Sequence, residues 1–332
     1  MRALVKGGKV LNIKKSLYAS ALIFTLFMSL LTACFVEKGR TDRSAYGDFD
    51  AGEGGIPLTS GISASEMVSA EASGLKVKSN DKVLLDYSNT SDGYVMIKYT
   101  GVNSKVKVQI TGPSGTVYTY SQSLTGEYDV YSLSDGNGDY KIGVYENISG
   151  SSYSTAFFFS ITVALKDEFR PFLISNKYVN YSASGKVVKK AGELCSNIDT
   201  TLGKIKAIYE YLVDNFTYDY QLAETVQSGY IPDLDAVLEK GTGICFDYAA
   251  VMTAMLRSQG IPTKMVFGYT GSVYHAWISV YSWESGWINA YIYFNGKEWK
   301  LMDPTFASNA DSSDEIMKYI GNGANYTAKY LY

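Results

Sequence analysis

The spacing of apolar residues changes once along this chain, and that change most limits what it can fold into. From Gly74 to about Leu165 apolar and polar residues alternate in short runs: Tyr94 to Tyr99, Val106 to Ile110, Tyr140 to Tyr145 and Phe157 to Val163 each read as a strand. Turn-forming clusters separate them, including Thr111-Gly112-Pro113-Ser114-Gly115 and Asp135-Gly136-Asn137-Gly138-Asp139. Short strands at this spacing predict an antiparallel β-sandwich over 74–165. The alternate oxygens of Asp135, Asn137 and Asp139 could suit calcium, but Tyr140 stands where an EF-hand needs Gly, so a hairpin turn is expected.

After Phe169 the period becomes helical. Ile205, Ile208, Tyr209, Leu212, Val213 and Phe216 form one stripe at i, i+3, i+4, i+7, i+8, i+11. A second helix is expected from near Pro232 to Gly241, with Asp233 and Asp235 in its first turn. A third is expected from about Phe246 to Gln259, stopped by Gly260 and Pro262. Strands follow at Lys264 to Tyr269, His275 to Tyr281, Ile288 to Phe294 and Lys297 to Met302, the last two flanking Asn295-Gly296. Helices followed by an antiparallel sheet make residues 166–332 an α+β domain.

The segment ahead of the β region reads as targeting sequence. Arg2, Lys6, Lys9, Lys14 and Lys15 lead into an apolar run from Leu17 to Leu31 that suits a signal peptide. Leu31-Thr32-Ala33-Cys34 resembles the lipobox of bacterial lipoproteins, which implies removal of 1–33 and acylation of Cys34. Two acyl chains anchor stably where one would be marginal. Residues 34–73, rich in Gly, Ser, Ala and acids with no apolar period, are expected to be a flexible stalk. The expected location is therefore the outer face of a membrane. A net charge of -3 gives no electrostatic case for nucleic acid, and the 29 tyrosines are compatible with an exported β-rich protein that uses them for packing alone.

Cys195 and Cys245 remain after Cys34. Cys245 follows Gly241-Thr242-Gly243-Ile244 and lands at the start of the third helix, where unpaired backbone N–H groups and the helix dipole favour negative charge. A buried structural cysteine or a disulfide to Cys195 are the alternatives for that segment alone. His275 is the single histidine in 332 residues, so an enzyme in which imidazole takes the thiol proton has one candidate. Asp303, in Asp303-Pro304-Thr305, could orient that imidazole, although Asp before Pro also simply ends a strand.

Together the Gly-x-Cys-x-Asp-Tyr-Ala segment at 243–249, Gly260-Ile261-Pro262, His275-Ala276-Trp277 and Asp303-Pro304-Thr305 resemble the transglutaminase-like superfamily. The resemblance implies a papain-like α+β core, thiol acyl transfer on amide bonds of peptides or proteins through a thioester, and Cys245, His275 and Asp303 as the catalytic triad. No calcium-site pattern is strong enough to carry over calcium dependence, so no cofactor and no metal are expected. Substrates would be peptides or proteins met outside the membrane, cell-wall peptides among them. Ile244 and Phe246 flank the cysteine where crosslinking animal enzymes have Gln and Trp, and all four tryptophans follow it; hydrolysis is at least as well supported as crosslinking. Tyr218 is the candidate second oxyanion donor. The alternative function is a surface binding protein whose β-sandwich works and whose transglutaminase-like scaffold is silent. For Asp303 to reach His275, their strands should pair antiparallel. Residues 283–295 would then leave the sheet as a lip over the site carrying Trp283 and Trp287, with Asn295-Gly296 closing only a local hairpin.

Overall fold

A computed structural model describes residues 69–283, 286–289, 293–294, 299–300 and 326–332, and from Ser60 on the chain forms one compact unit. Cys34, Asp303 and most of the expected stalk lie outside the described residues. Residues 70 and 72, expected at the stalk's end, pack against Tyr94, Met96 and Ile174.

The β region comes first. Its strands are β1 (Val77–Ser79), β2 (Val83–Asp86), β3 (Tyr94–Tyr99), β4 (Val106–Thr111), β5 (Val117–Ser121), β6 (Tyr128–Ser132), β7 (Gly138–Ser149) and β8 (Ser152–Val163). They form two antiparallel four-stranded sheets in the orders β1-β2-β3-β6 and β5-β4-β7-β8. Alternation does the sorting: β4 reads buried-intermediate throughout, so Val106, Val108 and Ile110 enter the core. The Asp135 to Asp139 segment joins β6 in one sheet to β7 in the other, so it is a corner between sheets and not the expected hairpin. Its oxygens are engaged there: Asp135 accepts the Ser114 N–H at 2.8 Å, Asn137 the Leu165 N–H at 2.7 Å and Asp139 the Thr162 hydroxyl at 2.7 Å.

The α+β part follows the expected order. It contains α1 (Lys186–Cys195), α2 (Thr201–Asn215), a short β9 (Thr217–Tyr218), α3 (Tyr220–Thr225), α4 (Leu234–Lys240), a short β10 (Thr242–Gly243) and α5 (Cys245–Ser258). After these come β11 (Thr263–Thr270), β12 (Val273–Ser282), β13 (Gly286–Asn289), β14 (Tyr293–Phe294), β15 (Trp299–Lys300) and β16 (Tyr326–Leu331). Thr200 caps α2 by accepting the Gly203 N–H at 3.1 Å, and Asp233 caps α4 at the Ala236 N–H at 3.1 Å. Gly241 ends α4 at φ +61°, a left-handed cap where a β-carbon would meet the Asn215 carbonyl at 2.8 Å. Helix α5 is buried on every side, which makes it the central helix under the sheet. At its far end the buried Arg257 guanidinium donates to the carbonyls of Ile174, Thr263 and Tyr332 at 2.6–2.9 Å, tying linker, sheet and helix together.

The main sheet runs β13-β12-β11-β16, antiparallel throughout. This corrects the expected excursion of 283–295. Gly286–Asn289 pairs with β12, Ser279 opposite Asn289, so adjacency of consecutive strands holds for that step. Trp283 and Trp287 form no lip. They pack with Phe169, Phe172 and Tyr281 at the other end of β12, and Lys264 Nζ sits 3.6 Å from the Trp287 ring. Strands β14 and β15 do stand apart as a local pair, Tyr293 opposite Lys300, as expected for the Asn295-Gly296 hairpin. Thus Trp299 and Lys300, just ahead of Asp303, pair with β14 and not with β12, and residue 303 itself lies outside the described part.

Tyrosines join the two halves. Tyr120 of β5 meets Tyr131, Tyr178 and Tyr332 at ring separations of 4.8, 5.2 and 5.6 Å, and Tyr178 reaches Phe246 of α5 at 5.8 Å. Stacked and edge-to-face aromatic pairs of this kind add about 0.5–1.5 kcal/mol each beyond area burial. Lys177, beside Tyr178, is buried against Asp129 of β6 at 2.9 Å. The sandwich is therefore held directly above the start of α5.

Candidate functional site

Cys245 is the first residue of α5, as the glycine-spaced segment ahead of it predicted. Three features hold it there. Thr242–Gly243 pairs in parallel with Thr217–Tyr218, and Gly243 accepts the Asp219 N–H at 2.9 Å. Gly243 has no room for a side chain, since a β-carbon would lie 2.5 Å from Asp247 Cβ. The buried Asp247 carboxylate reaches back to the Ile244 N–H at 2.7 Å and accepts the Tyr230 hydroxyl at 2.7 Å. Ile244 has no side-chain oxygen to offer, so only the return half of a capping box forms. Burial raises the Asp247 carboxyl above the usual carboxylate range, and the two hydrogen bonds oppose that rise.

His275 lies in β12 opposite Gly268 of β11 and is 5% exposed. Gly268 leaves space here: a β-carbon would come 2.1 Å from the Thr327 carbonyl and 2.6 Å from the Trp277 ring. The imidazole packs 6.1 Å from the Trp277 ring and 6.4 Å from Tyr326. Its neighbour Tyr274 stacks on Phe267 at 5.9 Å, and Phe267 touches Phe246 of α5 at 5.0 Å. Alternation along β12 thus turns Tyr274 and Ala276 toward α5, and His275 with Trp277 toward the Tyr326 side.

Cys245 and the Tyr274 to Ala276 stretch of β12 line the same pocket, about 590 Å³ in volume, while the His275 ring packs on the Tyr326 side of the sheet and not on the α5 side. Tyr218 lines it too. Burial first, and the nearby Cys245 second, push its hydroxyl well above the usual range, so it is a protonated donor at neutral pH. Burial raises Tyr274 to about 12, with Tyr330, Tyr269 and Cys245 adding to the shift. The pocket has walls that the sequence did not reveal: Thr119 and Ser121 from the sandwich, and the turn Gln227–Tyr230, closed by the Tyr230 N–H on the Gln227 carbonyl at 3.1 Å. No local pattern marks any of these residues; they reach the site through tertiary packing.

The disulfide alternative does not apply, because Cys195 and Cys245 are both free thiols. Cys195 is 5% exposed in the core, and burial pushes its thiol up. Among the described residues no group of three or more His, Cys, Asp or Glu is arranged to hold a metal, and no helix is long and apolar enough to cross a membrane.

Residues 189–304 match the model of the transglutaminase-like superfamily. The chain carries a transglutaminase-like core. The matched segment runs from within α1 through α5 and strands β11, β12 and β13 of the main sheet, leaves out β16, and includes Cys245, His275 and Asp303. The uncharacterized protein YebA of Bacillus subtilis (strain 168) is 30% identical over 148 residues, covering 38% of this chain. The chain spans about a fifth of that relative, 20% of its length. Among solved structures, a candidate cysteine protease from Cytophaga hutchinsonii is similar over 78% of this chain and 74% of its own, at 14% identity and a TM-score of 0.37. The periplasmic domain of TgpA from Pseudomonas aeruginosa is similar over 70% of this chain and 76% of its own, at 15% identity and a TM-score of 0.31. The assignment of the transglutaminase-like core rests on the match over 189–304, whose members are often cysteine-dependent enzymes.

Proposed function

We propose that the protein is a cysteine acyl-transfer enzyme acting on amide bonds of peptides or proteins, exported and tethered to the outer face of a membrane through acylated Cys34. The observation that supports the chemistry is Cys245 at a helix N-terminus, in a transglutaminase-like core, lining one pocket with the strand that carries His275; the reading requires the imidazole, which packs on the Tyr326 side, to turn toward the sulfur. In this reading the Cys245 sulfur attacks the amide carbonyl carbon while His275 takes the thiol proton. The C–N bond breaks, His275 returns the proton to the leaving amine or ammonia, and a thioester remains. Water or an acceptor amine then attacks the thioester, restoring the thiol. Asp303 accepts from the imidazole and holds its tautomer. The Cys245 N–H and the Tyr218 hydroxyl stabilise the oxyanion.

Peptides and cell-wall fragments incubated with the protein, followed by mass spectrometry, test the activity. The expected result is a cut bond or loss of ammonia from glutamine, with an acyl adduct on Cys245. Intact substrates and an unmodified cysteine would leave the silent-scaffold reading standing, with the sandwich as the working part. The tether is tested separately: Cys34→Ser should release the protein from membranes, and a variant that stays bound as tightly would refute it.

A further inference from the structure

Strand β5 is the edge of its sheet, with β4 as its only paired neighbour among the described residues. The register tells which of its backbone groups are engaged. The Gln122 N–H bonds the Val106 carbonyl at 3.0 Å and the Gly112 N–H bonds the Thr116 carbonyl at 3.2 Å. In an antiparallel pair the bonded positions recur every second residue. Given Val108 opposite Tyr120 and Ile110 opposite Tyr118, the N–H and C=O of Tyr118 and Tyr120 point into the sheet. Those of Val117, Thr119 and Ser121 therefore point outward. Their side chains are the exposed ones of the strand, while Tyr118 and Tyr120 are buried. Among the described residues, the only bond on the outward backbone groups is a long one, from the Tyr178 hydroxyl to the Thr119 carbonyl at 3.4 Å.

Part of this outward edge faces a pocket. Thr119 and Ser121 line the same pocket as Cys245, and Gln227 to Tyr230 form a facing rim. A β-carbon on Gly229 would stand 3.5 Å from Ser121 Oγ, so the rim approaches the strand at that end. An edge strand whose outward donors and acceptors are left largely unengaged is a template for another strand. Here the template runs into the pocket that holds the cysteine.

We propose that the outer edge of β5 is a substrate subsite, where an extended stretch of a polypeptide acyl donor pairs as an added strand and is led to Cys245. This rests on the acyl-transfer reading above and deepens it. The substrate class becomes an extended, unfolded polypeptide segment held by its main chain, with little demand on its sequence outside the reacting residue. It also gives the sandwich a role in substrate binding, through a strand that the tyrosine cluster presses over the start of α5.

The test uses the full chain carrying Cys245→Ala, so that capture is read without turnover. The probes are a pool of end-capped, random-sequence peptides about ten residues long and the same pool N-methylated at consecutive backbone nitrogens, so that neither edge of the peptide keeps its donors. The unmethylated pool should be retained, and the methylated pool about tenfold less, because each lost main-chain hydrogen bond weakens pairing. Thr119→Pro removes an outward N–H without touching the bonds to β4 and should weaken capture of the unmethylated pool by a similar factor. Equal retention of the two pools, or no retention of either, would overturn the proposal. The methylated pool decides alone if the proline variant fails to fold. Iodoacetamide labelling of Cys245 in the native chain is read separately. Its absence would remove the acyl-transfer reading, while strand capture would still stand or fall on the two pools.

Discussion

Cys245 and His275 are held in place by different physics. The cysteine wall is a helix end held by polar groups: the Asp247 carboxylate on the Ile244 N–H and the Tyr230 hydroxyl, and the parallel pairing of β9 with β10. The histidine wall is a sheet face held by aromatic packing, with Trp277 and Tyr326 beside the imidazole and Gly268 leaving them room. A polar brace fixes direction, because each donor and acceptor has one geometry. An aromatic stack fixes depth and excludes water but tolerates sliding. The position of Cys245 is thus specified locally, whereas that of His275 depends on strands that meet from distant parts of the chain.

The largest effect expected is chemical. Cys245→Ala should lower turnover by at least about 10³-fold, as loss of a nucleophile does in thiol and serine enzymes. Its thermal midpoint should stay close to that of the native chain. Retained turnover, measured on any substrate found by the mass-spectrometric screen, would move the chemistry away from this wall.

Next come substitutions that attack one wall at a time. Trp277→Ala should cost about 3 kcal/mol in a denaturant melt, the usual loss for a large aromatic removed from a core. Asp247→Ala should cost about 2 kcal/mol, because it strands a buried N–H and a buried hydroxyl. The sharper comparison is in labelling of Cys245. Asp247→Ala should make the cysteine's alkylation rate heterogeneous, since its helix end loses its brace, and Trp277→Ala should act only through His275. If both variants changed labelling identically, the two walls would be one mechanical unit.

How much of this was legible in the sequence follows the same division. The Gly241 to Ala249 segment announced the helix start, because glycines and an apolar helix pattern are local signals, and α5 begins at Cys245 as that pattern required. The sheet was legible as strands but not as neighbours. Placing Trp283 and Trp287 over the site assumed that 283–295 leaves the sheet, while Gly286–Asn289 follows the ordinary hairpin return beside β12. Strand β16 went unseen, because Tyr326–Leu331 is mostly exposed or half-buried and carries no clean alternation; its pairing with β11 is long-range. The sandwich strands β1, β2, β5 and β6 were likewise not singled out. The role of the tyrosines was also hidden, since Tyr120, Tyr178 and Tyr332 are far apart in sequence and meet only when the sandwich docks.

The smallest effect concerns the far end of the histidine strand. Lys264 lies against Phe172 and Trp287, and burial lowers its amine to about 8, with Glu168 opposing the shift. The unfolded chain therefore binds more protons than the folded one between about pH 8 and the ordinary lysine value of about 10.4. Stability should rise with pH across that window and lose this contribution as pH falls through 8. Lys264→Met should flatten the difference, read as the change in denaturant midpoint between the two proteins at pH 7.5 and at about pH 10. Parallel curves would mean that the lysine is solvated in both states.

The central claim is that His275 serves Cys245 and no other group. The most direct measurement is the rate of iodoacetamide labelling at neutral pH, followed by peptide mapping, in the native chain and in His275→Ala. Cys195 is an internal reference, because it is buried and its thiol is pushed up. The account predicts fast labelling of Cys245, slow labelling of Cys195, and a fall of about tenfold or more at Cys245 alone when His275 is removed. Equal labelling of Cys245 with and without the imidazole would contradict it.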